Sequence, residues 1–242
     1  MTSRIGCLVA AIASAFAVTA YAQDVGQGGA PSPVSMTSSS SCELHIFPTK
    51  NYLAINTGVL VGLGPIGVVA DIEGHKNRVK TVKELMAEIL TPEAQIEQLN
   101  KVGILSTLKL PADTAIIVEP PFPSAEDYKR DPLIKEKMKS VLADEKAGKR
   151  FTASASRCYS ELVTAYIFYQ KAAMYGTRLF TMWTFRDFQG KSTVVRTAKG
   201  QVENSASGFP PQSSDGLETS RQALLGAFAK DFTKWQDLKN RS

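Results

Sequence analysis

The densest run of β-branched and aromatic residues in the chain lies between Arg157 and Phe188. Its period is two. That predicts a pair of antiparallel strands, Tyr159–Lys171 and Thr177–Phe188, joined over Ala172–Gly176. Gly176 supplies the positive φ that a short hairpin loop needs. In the first strand Val163, Ala165, Ile167 and Tyr169 fall on one side, and Leu162, Tyr166 and Phe168 on the other. The second strand sets Phe180 and Met182 against Leu179, Trp183 and Phe185. A strand apolar on both faces belongs in the middle of a sheet covered on both sides.

The pattern elsewhere supplies what surrounds this hairpin. Cys42–Phe47 alternates Leu44 and Ile46 against Glu43 and His45, a short strand with His45 on its solvent side or at a sheet edge. Thr81 and Glu84 have capping-box spacing and open a helix through Ile89 and Leu90. Thr91-Pro92 starts another that closes at Gly103, and Ile104–Leu110 adds one more turn. Ala115–Val118 reads as a short buried strand. Asp131-Pro132 opens a helix that ends at Gly148, with Leu133, Ile134, Met138, Val141 and Leu142 as its apolar stripe and a solvated face of Lys and Glu. Ser192–Lys199 is a third strand, turning at Lys199-Gly200 and completing a meander. Asp215–Lys239 carries Leu217, Leu224, Leu225, Phe228, Phe232, Trp235 and Leu238 at three- and four-residue steps, so its stripe is the natural cover for one face of the hairpin. The expected class is α+β: an antiparallel sheet of about five strands around a central hairpin, with helices on it, in one domain over residues 42–240.

Asn51–Ala70 breaks these patterns. It holds no charge and contains Gly58, Gly62, Gly64, Pro65 and Gly67. Three readings stay open: a buried or half-buried apolar loop broken at Gly64-Pro65, an exposed patch that meets a membrane or partner, and a membrane insertion followed by basic residues from Lys76 onward. As a docking surface its chief residues are Leu60, Val61, Leu63, Ile66 and Val68.

The N-terminus sets the expected compartment. Arg4, the apolar run Leu8–Thr19 and the small-x-small site Ala20-Tyr21-Ala22 form a secretory signal-peptide pattern, with cleavage after Ala22. Residues 23–41, rich in Gly, Pro and Ser, form a flexible leader. The mature chain then keeps Cys42 and Cys158. In an exported protein that pair reads as a disulfide; free thiols, or a metal site with His45 and His75, are the alternatives.

Composition excludes little. Hydrophobic residues at 43% and charged residues at 21% are ordinary for a globular chain, and a net charge of +5 with Lys interleaved among Glu is no nucleic-acid footprint. No nucleophile elbow, phosphate loop or zinc-protease motif is present, and no cofactor or metal is expected. Glu161 is the one acid of the central strand, and Arg178 or Arg186 on the neighbouring strand is its expected partner.

Three segments carry a family likeness: Cys42-Glu-Leu-His45, Arg157-Cys-Tyr-Ser-Glu-Leu162 and Thr184-Phe-Arg-Asp-Phe188, followed by the terminal amphipathic helix. In these the chain resembles uncharacterised exported bacterial proteins. Its element order also resembles the small N-terminal α+β domain of the Tol-Pal system's propeller protein, which some outer-membrane lipoproteins share. The chain departs from them in lacking a lipobox cysteine and in carrying the Asn51–Ala70 insert. The resemblance implies a periplasmic or envelope-associated module that binds an envelope component without chemistry. Two other functions stand beside it: a carrier of a lipid or other apolar ligand between the sheet and the C-terminal helix, and a hydrolase whose site matches no motif.

Overall fold

A computed structural model of the chain describes residues 42–57, 69–70, 79–172 and 176–240. The strands are β1 (Glu43–Phe47), β2 (Tyr52–Thr57), β3 (Val69–Ala70), β4 (Val79–Lys80), β5 (Ala115–Val118), β6 (Tyr159–Ala172), β7 (Gly176–Asp187) and β8 (Arg196–Ser205). The helices are α1 (Val82–Ile89), α2 (Pro92–Lys101), α3 (Ile104–Leu108), α4 (Ala125–Arg130), α5 (Pro132–Lys146) and α6 (Leu217–Asn240). The fold is α+β. A six-stranded sheet runs β5-β1-β6-β7-β8, with β2 also paired to β6, and β3 and β4 form a separate two-residue ladder.

The hairpin is central, as its double apolar pattern requires. β6 and β7 pair from Ala172↔Gly176 to Ser160↔Asp187, and Gly176 closes the hairpin at φ +71°. The register shifts between Thr164 and Tyr166, which leaves Ala165 as a bulge. That extra residue reassigns the faces expected from simple alternation. Leu162, Ile167 and Tyr169 now share one face and are buried, while Val163, Tyr166 and Phe168 share the other.

β6 is long enough, at 14 residues, to hold two strands end to end. Its first half pairs with β1 and its second with β2, both in parallel. Pro48 separates the two short strands, because it has no N–H to give to a ladder. α2 ties this break down: the Gln95 side chain accepts from Thr49 N at 3.0 Å and donates to Thr49 O at 2.8 Å and Leu90 O at 2.9 Å. The meander β6-β7-β8 is antiparallel, and β1, β2 and β5 are its parallel additions.

α6 covers the first face. Trp183 of β7 lies 5.1 Å from Phe228, 5.2 Å from Phe232 and 6.4 Å from Trp235, ring centre to ring centre, and all four side chains are buried. The space between sheet and helix is therefore filled with aromatic rings. Tyr166 and Phe168 stand on the opposite face, so they cannot wall a chamber with Trp183 and Phe232.

Five expectations need revision. The third strand is β8, Arg196–Ser205, and it runs through Gly200 instead of turning there. A Cβ on Gly200 would sit 3.2 Å from Lys239 Cε and 3.5 Å from Trp235 Nε1, so this glycine lets α6 come close to the sheet. β5 is an edge strand, with Ile116 37% and Val118 53% exposed. Tyr52–Thr57, at the head of the glycine-rich stretch, is strand β2, and α4 is a further helix with a Ser124–Asp127 capping box. In α5 only part of the expected stripe is covered: Met138 is buried, but Leu133 and Leu142 are exposed.

A buried carboxyl lies under α6. Asp231 accepts from Thr181 Oγ1 and Asn204 Nδ2, each at 2.8 Å, and burial pushes its carboxyl up to about 7. The sign follows from linkage. The unfolded chain ionises this group near pH 4 and the folded chain only near pH 7, so it contributes stability at low pH that is lost as pH rises between those values. Asp231→Asn is expected to be more stable than the parent at pH 8, by on the order of 1–3 kcal/mol, with a gain that shrinks toward pH 4. Urea titrations of both proteins at pH 4, 6 and 8 check this; a variant that loses stability at pH 8 contradicts it.

Candidate functional site

Cys42 and Cys158 are bridged, with Cα atoms 4.5 Å apart across 116 positions of sequence. Each cysteine immediately precedes a strand, β1 and β6. The bridge therefore fastens the starts of two parallel neighbours, and Glu43 N donates to Cys158 O at 2.7 Å beside it. Bridging removes both sulfurs from any set of thiolate ligands. His75 and the docking residues Leu60, Val61, Leu63, Ile66 and Val68 lie outside the described residues.

The second face of the sheet carries a buried polar network next to this bridge. His45 is only 4% exposed, which overturns its expected place on the solvent side. Parallel pairing puts it beside Glu161, and the loop after β5 brings Glu119 over it. Its Nδ1 lies 2.6 Å from Glu119 Oε1 and its Nε2 lies 3.2 Å from Glu43 Oε2. The Ser154 hydroxyl donates to Glu43 and holds that carboxyl below the usual range. Glu161 finds the expected partner in Arg186, whose Nη1 donates to it at 2.6 Å. It also accepts from Phe151 N and the Tyr159 hydroxyl, each at 2.7 Å. Burial raises the Glu161 carboxyl even so, against the pull of Phe151 N, the Arg186 charge and Tyr159. Arg178, the other candidate partner, pairs with Glu203.

The network fastens the segment between α5 and β6 to the sheet. Arg186 stacks over the Phe151 ring at 4.2 Å and donates to Lys149 O at 2.5 Å. Arg150 stacks over Tyr159 at 4.4 Å and donates to Ser154 O and Ser156 O. Segment 149–157 has no helix or long strand of its own, so these contacts stand in for a ladder.

A hydrolytic reading would cast Thr152 as nucleophile, since its hydroxyl lies 3.2 Å from His45 Nδ1. That nitrogen is closer to Glu119, and Nε2 is engaged by Glu43. Each ring nitrogen thus has a carboxylate partner, and Nδ1 has the Thr152 hydroxyl besides. Beside the network lies a cavity of about 330 Å³, lined mainly by Phe47, Phe122, Ile134, Met138 and Phe151, with Glu119 and Thr152 in its wall. Its volume is at the low end of ligand pockets.

Among the described residues no helix packs on the remainder of the second face, beyond the bulge. Beyond the bulge Phe168 and Phe180 meet at 5.3 Å, half-buried together with Tyr166 and Met182. Pairing sets Leu53 of β2 beside Phe168, and Leu53 and Ile55 are 40% and 52% exposed. This apolar margin begins inside the stretch singled out from sequence and was masked there by its glycines. The run Tyr52-Leu53-Ala54-Ile55 is apolar throughout, so it carries no alternation to mark it as a strand.

No family model and no curated protein matches the chain. Among solved structures, one of an uncharacterised protein aligns over 83% of this chain and 98% of its own, at 8% identity and a TM-score of 0.22, a likeness that carries no argument. Among the described residues no helix is long and apolar enough to cross a membrane.

Proposed function

We propose that the protein is an exported, non-enzymatic interaction module of the cell envelope, which docks through the apolar margin of its sheet where β2 leads into residues 58–70. One observation carries the reading: Leu53 and Ile55 stand exposed on the face that already holds the half-buried Phe168–Phe180 pair. Large apolar side chains gathered at one margin favour association over solvation. The signal-peptide pattern of residues 1–22 and the Cys42–Cys158 bridge support an oxidising compartment, periplasmic or secreted. The polar network supports the same function indirectly: it spends its charged groups on holding a loop, with His45 engaged on both nitrogens.

The test is fractionation of three proteins side by side: the parent, Leu53→Asp, and Leu53→Asp/Ile55→Asp. Burying the two exposed side chains contributes about 2 kcal/mol, roughly a thirtyfold change in partition. The parent is expected to stay with the envelope fraction and the double variant to wash off, with melting temperatures equal within about 2 °C because surface changes cost little. Equal release of all three removes the docking surface from the account.

A further inference from the structure

The sheet ends in two very different margins. β8 closes one edge and carries exposed Arg196 and Lys199, and Lys199 reaches Glu145 at 3.4 Å. Charges of this kind keep an edge strand from recruiting another chain. β5 closes the other edge with the sequence Ala-Ile-Ile-Val, with no charge, bulge or proline in it. Among the described residues it pairs only with β1.

The direction of its free backbone groups follows from the register. Ala115 N donates to Cys42 O at 2.8 Å and Glu119 N donates to Ile46 O at 2.9 Å, so Ala115, Ile117 and Glu119 address β1. The intervening residues, Ile116 and Val118, turn their N–H and C=O groups outward. No described residue bonds to those groups. Both side chains are exposed on the face that β5 shares with α3. A hollow of about 370 Å³, lined by Ile104, Leu105, Leu110 and Ile116 among others, opens there. An added strand would thus find, at Ile116 and Val118, donors and acceptors that no described residue meets and, beside Ile116, an apolar recess.

We infer that β5 is a strand-addition site for an extended peptide segment with apolar residues at alternate positions. Main-chain bonds to Ile116 and Val118 supply affinity, and the hollow beside Ile116 selects the alternate side chains. A second copy of the chain fits less well. A β5–β5 pair joins four residues from each copy, and Pro120-Pro121 ends the strand, so it falls far short of the roughly 1,200 Å² buried in a specific stable dimer. The inference is independent of docking through β2.

The probe is a fluorescein-labelled eight-residue peptide of alternating valine and lysine, followed by anisotropy and by amide hydrogen exchange of the full chain. Saturable binding is expected, with exchange at Ile116 and Val118 fast in the free protein and slowed about tenfold or more by the peptide, while Ile117 stays slow throughout. Val118→Pro removes an outward N–H without touching the β1 ladder and is expected to weaken binding about tenfold. The same peptide, N-methylated at alternate amides, is expected to weaken it equally on the unaltered protein, which guards against a folding defect in the variant. Undiminished binding by Val118→Pro and by the methylated peptide overturns the inference. So does slow exchange at Ile116 and Val118 before peptide is added, or a dimer in light scattering that Val118→Pro dissolves.

Discussion

Arg186→Met is expected to destabilise the protein by about 3–5 kcal/mol, the cost of leaving a buried charge without its partner. Arg186 is 2% exposed and Glu161 is fully buried, so neither can turn to water. Without the guanidinium the Glu161 carboxyl keeps only Phe151 N and the Tyr159 hydroxyl, and burial drives it still further toward its protonated form. The pH dependence has a definite sign. A carboxyl raised in the folded state contributes stability that is lost as pH rises from the unfolded value, near 4, toward the folded one, and the variant moves that folded value upward. The deficit of Arg186→Met is therefore larger at pH 8 than at pH 5. Adding Glu161→Gln to Arg186→Met is expected to recover a large share, because the amide oxygen still accepts from Phe151 N and Tyr159 while the charge is gone. Guanidinium titrations at both pH values read all of this, and a deficit below about 1 kcal/mol at pH 8 contradicts the role given to the pair.

The second large effect belongs to the Cys42–Cys158 bridge. It closes a separation of 116 residues. In the chain-entropy model that is worth about 4–5 kcal/mol, mostly by restricting the unfolded chain. Cys42→Ser/Cys158→Ser is expected to lower the melting temperature by roughly 10–15 °C. Dithiothreitol should bring the parent to the same temperature and leave the variant unmoved. The β1 end of the sheet should loosen first, since the bridge anchors β1 beside β6 where Pro48 has already cut the strand short. A reductant-insensitive parent would contradict the bridge itself.

Much of the fold was legible because its signals are local. The period of two from Tyr159 to Phe188 and the three- and four-residue steps from Leu217 to Leu238 each repeat often enough to name an element and its buried face. The Thr81–Glu84 and Ser124–Asp127 boxes share one spacing, yet only the first precedes an apolar stripe, so α4 has no periodic signal of its own. The parallel strands were hidden by distance. The structure puts Cys42 and Cys158 each one residue before a strand, so the bridge joins the starts of two parallel neighbours. Gly200 illustrates a different limit, because a glycine that ends a strand and one that admits a helix look identical in sequence.

The site was less legible than the fold. His45 meets Glu119 across 74 residues, and only the side-by-side order β5-β1-β6 brings those groups together. Glu161 and its arginine partner were readable because they sit on adjacent strands of one hairpin. The exposed character of β5 was not, since Ala-Ile-Ile-Val has the same composition whether it lies in the centre of a sheet or at its rim.

Docking through the sheet margin is tested most directly by a photo-cross-linking benzophenone residue placed, in living cells, at Ile55 or, separately, at Leu133. Both positions are exposed and apolar, at 52% and 80%, but Leu133 belongs to helix α5 and not to the sheet. The account predicts a discrete adduct with an envelope component from Ile55, abolished by Leu53→Asp, and none from Leu133. The same adducts from both positions, or none from Ile55, would contradict it.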